Sequence, residues 1–143
     1  MAYSAQSDLV TRYGEAALLL IADRDGDGVL DAGLVADTIA GADSIIDLHV
    51  RGRYAVPLSP VPREILDIST AIARYRLYQN GNDAPEVAKE DYKAAMALLK
   101  LIADGTAVLT SAAASSSDPA ATSGEVETAG DEPVFTSETL KAF

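Results

Sequence analysis

Aspartates between positions 23 and 31 form the pattern in this sequence that comes closest to a metal site. Calcium loops of the EF-hand type place oxygen ligands at positions one, three, five and nine, and a bidentate glutamate at position twelve. Position twelve is Leu34 here, so we predict calcium binding that is weak at most. The alternative is a polar loop whose aspartates and glycines form tight turns. The candidate ligands are Asp23, Asp25, Asp27 and Asp31.

Arginines are concentrated between positions 51 and 76 of an otherwise acidic chain. Clustered guanidinium groups bind phosphate or carboxylate groups, but without a base or nucleophile beside them they have no chemistry of their own. A helix end followed by a proline-stiffened turn would hold such groups in a fixed, exposed position. We therefore predict contact with a partner or a neighbouring subunit through Arg51, Arg53, Tyr54 and Arg63. The alternative is pairing with nearby acids on the surface, which stabilises proteins little.

Composition excludes several classes of function. The chain has 143 residues, 11 basic and 22 acidic side chains, a net charge of -11 and no cysteine. The lack of cysteine excludes disulfides, thiolate metal sites and cysteine nucleophiles, and a single histidine, His49, excludes a pair of histidine ligands. Net negative charge argues against free-standing nucleic-acid binding. No serine lies in a nucleophile elbow, so we predict that the protein is not an enzyme.

Apolar spacing predicts an all-α fold, a small bundle of three main helices preceded by short ones. The short helices are expected at residues 4–13, with Ser4 or Ser7 as the cap, and at 15–22. Pro57, Pro60 and Pro62 exclude helix from the segment around them. Val108 and Leu109 could form a very short edge strand. The main helices are expected at residues 31–52, 63–79 and 83–104, the last starting at Asp83 and carrying Val87, Ala94, Leu98, Leu101 and Ile102.

Composition changes near Thr110. We predict a helical domain over residues 1–110 and a flexible linker, rich in serine and alanine, over residues 111–130. Residues 131–143 become apolar again and are predicted to form an extended C-terminal docking arm. Its expected partner contacts are Val134, Phe135, Leu140 and Phe143.

Several segments together resemble the gp36-like proteins of Mu-type tailed bacteriophages and prophages. They are residues 1–15, the aspartate loop at 23–28, residues 46–58, residues 72–78 and the closing segment 134–143. The resemblance implies a mainly helical structural protein of the virion neck, made in the cytoplasm of the host bacterium. It would act as a head-to-tail connector or adaptor that joins capsid to tail.

The resemblance also implies a set of partners. Such proteins assemble as a ring beneath the phage portal protein, usually a dodecamer, and meet a stopper or tail terminator on the tail side. The genome would pass through the channel without sequence-specific contacts, and an acidic wall suits this because it does not trap phosphates. No membrane contact and no cofactor beyond weak calcium are expected. A competing hypothesis is a calcium-responsive helical binding module built on the loop from Asp23 to Asp31.

Overall fold

Five helices form the part of the chain that the computed structural model describes, residues 1–79 and 83–109. This confirms the all-α prediction, and Val108 and Leu109 do not form the strand expected of them. The predicted linker and docking arm lie outside the described residues. The helices are α1 (Gln6–Tyr13), α2 (Glu15–Ala22), α3 (Ala32–Val50), α4 (Arg63–Gln79) and α5 (Glu86–Ala103).

The core lies between α3, α4 and α5, and α4 packs against both of the others. An apolar stripe along α3, with residues spaced by three and four positions, is buried throughout. On α5 the buried stripe is one residue out of step with most of the apolar positions expected there, and only Ile102 is common to both. The buried residues of α3 are Val35, Ile39, Ala42 and Ile46 along the stripe, and those of α5 are Ala88, Ala95, Leu99 and Ile102.

The ends of two helices differ from the expected ones. Neither Ser4 nor Ser7 caps α1. The N-cap residue is Ala5, whose backbone N–H donates to the carboxylate of Asp8 at 2.7 Å. Ser4 is instead buried with its hydroxyl 2.8 Å from that of Ser69 on α4. Helix α5 begins at Glu86, so Asp83 lies before it rather than at its start.

The segment between α3 and α4 is irregular, as its prolines require, and the Val56–Pro57 and Ser59–Pro60 peptide bonds are cis. Leu58 nevertheless lies in the core and ties this segment to the bundle. None of the described helices combines the length and the apolar character needed to cross a membrane.

Candidate functional site

The structure brings three of the four loop aspartates together. Carboxylate oxygens of Asp23, Asp25 and Asp27 all lie within 4.8 Å of one another. Asp31 lies outside this group, and its Oδ2 accepts the backbone N–H of Arg24 at 3.1 Å. The fourth predicted ligand is therefore engaged in holding the loop closed in front of α3.

Hydrogen bonds within the loop already use the oxygens of Asp23. They accept the backbone N–H groups of Gly26 at 2.7 Å and Gly28 at 2.9 Å. Both glycines have positive φ, 75° and 80°, which glycine adopts without strain. These bonds, led by that from Gly28, lower the pKa of Asp23 below its usual value.

The loop fits calcium only in part. Its three grouped carboxylates are ligands of the class that calcium prefers. The N–H of Asp27 lowers the pKa of Asp25, but the charges of the neighbouring aspartates, together with desolvation, outweigh it and raise the pKa. Leu34, at position twelve, packs against the core and offers no side-chain oxygen. The loop therefore lacks the bidentate ligand on which tight calcium binding in an EF-hand depends.

The predicted arginine patch divides into exposed and packed members. Arg51 is exposed just after α3, and Arg63 is exposed at the start of α4, where its Nε lies 3.8 Å from Oδ2 of Asp67. Arg53 is half-buried, with its guanidinium against Gly105. Tyr54 is only 4% exposed, and its hydroxyl accepts the N–H of Leu109 at 2.9 Å. The ring of Tyr54 belongs to the core, which leaves it little surface for the partner contact predicted from the sequence.

His49 and one more arginine of the arginine-rich stretch, Arg74, are engaged within the chain. Arg74 lies 4.3 Å over the ring of Tyr13 and 3.5 Å from Asp91. Nδ1 of His49 lies 2.8 Å from the carbonyl oxygen of Ile45, one turn earlier on α3. Both positions fit roles in packing.

A polar network that no local sequence pattern indicates joins the N-terminal segment to α3, α4 and the proline-rich segment. The backbone N–H of Tyr3 donates to Oδ2 of Asp43 at 3.2 Å, and its hydroxyl donates to Asp47. Ser69 donates to Oδ1 of Asp43 at 3.2 Å. Burial raises the pKa of Asp43, although the bonds from Tyr3 and Ser69 act in the opposite direction. The network therefore holds a carboxylate in partly desolvated surroundings.

This network borders a groove of about 520 Å³ between the N-terminal segment and α3. Val35 and Ile39 contribute apolar surface at its base, and small alanine side chains leave it wide. Asp43 and Asp47 give it two carboxylates. The volume of the groove lies within the range that is typical of ligand-binding pockets in proteins.

A second apolar surface runs along the outside of α5 and is left exposed by the described residues, 1–79 and 83–109. Val87 is 60% exposed and Leu101 is 44% exposed, and Ala94 and Leu98 continue the same face of the helix. Spacings of seven, four and three residues place these four side chains in one stripe. We call this stripe the α5 outer face.

A family model described as Bacteriophage Mu, Gp36 matches residues 3–128 of the chain. The chain belongs to this family of phage proteins, as its sequence segments predicted. It is also similar to the Mu-like prophage FluMu protein gp36 of Haemophilus influenzae (strain ATCC 51907 / DSM 11121 / KW20 / Rd). The two sequences are 32% identical over 103 residues, which is 72% of either chain.

Proposed function

We propose that this phage protein is a structural component of the virion neck, a head-to-tail connector that forms a ring beneath the portal. The observation that carries the proposal is the α5 outer face, an apolar stripe that residues 1–79 and 83–109 leave exposed. Membership of the Mu Gp36 family supplies the phage context. In a ring, the stripe would be covered by a neighbouring copy.

The energetics favour covering this face. Burial of apolar surface contributes roughly 25 cal/mol per Å². Val87, Leu98 and Leu101 are large enough for their combined burial at every subunit boundary to favour assembly. They also lie on a long helix whose opposite face is fixed in the core, so little order is lost when they bind.

A structural role without catalysis is part of the same proposal. The side chains that the sequence offered for chemistry are the loop aspartates, the arginines and His49. None of them places a nucleophile beside a base. The net charge of -11 per chain would give a ring an acidic character that suits the passage of DNA. The proposed partners are further copies of the chain, the portal protein and a tail-side neck protein.

The experiment is native mass spectrometry of the full chain, alone and with the portal protein of the same phage. The wild-type chain should form a closed ring of identical subunits. The double variant Val87→Gln, Leu101→Gln should need about tenfold more protein to reach the same assembled fraction. Leu20→Gln is the matched control, because Leu20 is 80% exposed on α2, outside the proposed face. Equal assembly by the double variant would exclude the α5 outer face as the subunit contact.

A further inference from the structure

The groove between the N-terminal segment and α3 has the chemistry of a receptor for a short peptide. Val35 and Ile39 lie at its base with little of their surface exposed, and Met1 and the alanines along α3 complete an apolar lining that leaves room for a large side chain. Asp43 and Asp47 lie in its wall, and its lining includes no lysine or arginine, so the amino group of Met1 is the one cation among the lining residues. An occupant that fits this surface has large apolar side chains with a cation between them.

The chain itself contains such a segment. Leu140 and Phe143 flank Lys141, which is the one basic residue in the sequence after position 110. Lys141 could pair with the groove aspartates while its apolar neighbours occupy the apolar surface. Position 134 follows Leu109 by 25 residues, and a chain of that length extends at most ~85 Å. The segment is therefore long enough to reach an adjacent subunit.

We propose that residues 134–143 of a second copy of the chain dock in this groove, with Lys141 beside Asp43 and Asp47. In a ring, each subunit would then give one segment and receive one, a head-to-tail contact that closes by symmetry. This inference rests on the proposed self-assembly. It adds a second subunit contact, separate from the α5 outer face.

The groove can be blocked without removing a contact of the fold. Ala36 and Ala40 line it and are exposed, so the double substitution Ala36→Gln, Ala40→Gln fills its volume with residues that favour helix. Ala16→Gln is the matched control, an exposed alanine on α2 outside both the groove and the α5 outer face. The complementary variant, Leu140→Ser with Phe143→Ser, keeps the groove and removes the apolar side chains of the segment.

Mixing the two full-length variants distinguishes docking between copies from docking within one chain. Alone, each variant should need about tenfold more protein than wild type to reach the same assembled fraction, and Ala16→Gln should match wild type. Together, they retain one intact groove and one intact segment, so native mass spectrometry should detect a one-to-one heterodimer. Lys141→Glu in the groove-blocked chain should weaken that heterodimer, and added salt should weaken it in the pair that keeps Lys141.

Each other outcome overturns the inference. If the mixed variants form no heterodimer, residues 134–143 dock in the groove of their own chain or on another protein. If both variants still form rings, this inference is wrong but the proposed connector role is unaffected. A wild-type chain that stays monomeric with the portal protein present contradicts the proposed function itself.

Discussion

The phenolic oxygen of Tyr3 accepts the backbone N–H of Leu58 at 3.0 Å and so joins the N-terminal segment to the proline-rich segment. Tyr54 repeats the relationship with Leu109, at 2.9 Å. Each leucine side chain is buried in a stretch without regular structure, where the backbone N–H has no helical partner. Because a buried N–H without a hydrogen bond is costly, the two tyrosine hydroxyls stabilise the segments that connect the helices.

Replacing Tyr3 by phenylalanine should destabilise the fold by about 1–3 kcal/mol, because it removes the acceptor for Leu58 and the donor to Asp47. Urea denaturation of the full chain measures the loss. Tyr75→Phe is the matched control: the ring stacks on Tyr92 at 4.3 Å, and within residues 1–79 and 83–109 its hydroxyl has no hydrogen bond. Equal stability of wild type and Tyr3→Phe would show that the hydroxyl contributes nothing net.

The Tyr3 hydroxyl should also ionise at a higher pH than an ordinary tyrosine. Burial, followed by the bond to Asp47, raises its pKa from 10.0 to about 12, although the Leu58 N–H acts in the opposite direction. A raised pKa means that the fold favours the neutral phenol. This stability is fully present below pH 10 and is lost as pH rises through 12.

The absorbance of phenolate, titrated in wild type and in Tyr3→Phe, isolates this residue by difference. Circular dichroism at each pH confirms that both chains remain folded. The difference curve should have its midpoint at about 12. A midpoint near the ordinary value of 10.0 would contradict the assigned surroundings of the hydroxyl.

Gly105→Ala should destabilise the protein by about 1 kcal/mol or more. The glycine has a φ of 80°, and an added Cβ would collide with the guanidinium of Arg53. Gly33→Ala is the matched control, because a Cβ there meets open space at the start of α3 and alanine favours helix. Thermal unfolding should show a lower midpoint for the first variant and an unchanged or higher one for the second. The reverse order would contradict the close approach of Arg53.

Calcium should bind the aspartate loop with a Kd no tighter than about 10⁻³ M, because Leu34 replaces the bidentate ligand. Isothermal titration of the full chain at matched ionic strength measures it, since a chain of net charge -11 also attracts divalent ions non-specifically. Asp25→Asn serves as the control for binding at the loop. A micromolar Kd that this substitution abolishes would favour the competing calcium-responsive role.

Helix positions were predictable because local signals set them. The periodic stripe of α3 and the prolines that separate α3 from α4 each act within a few residues of the chain. The face of α5 was not predictable in the same way. Val87, Ala94, Leu98 and Leu101 form one apolar stripe, and the buried residues lie one position further along, from Ala88 to Ile102. Periodicity alone cannot tell which of two neighbouring stripes faces the core.

Contacts between distant parts of the chain account for the remaining differences between the predicted and the observed positions of side chains. Tyr54 follows an arginine-rich turn in sequence, yet its hydroxyl bonds to Leu109, 55 positions away. The groove likewise needs the N-terminal segment to lie along α3, which depends on Tyr3 bonding to Asp43 and Asp47. No local pattern encodes pairings of that range. The loop aspartates were predictable as a group, except that Asp31 bonds within the loop instead.

The most direct test of the proposed connector role is the native mass of the full chain mixed with its portal protein. We expect a closed ring of identical subunits bound to the portal, and we expect that ring to be lost when Val87 and Leu101 are both changed to glutamine. A chain that remains monomeric at every concentration, and that leaves the mass of the portal unchanged, would contradict it.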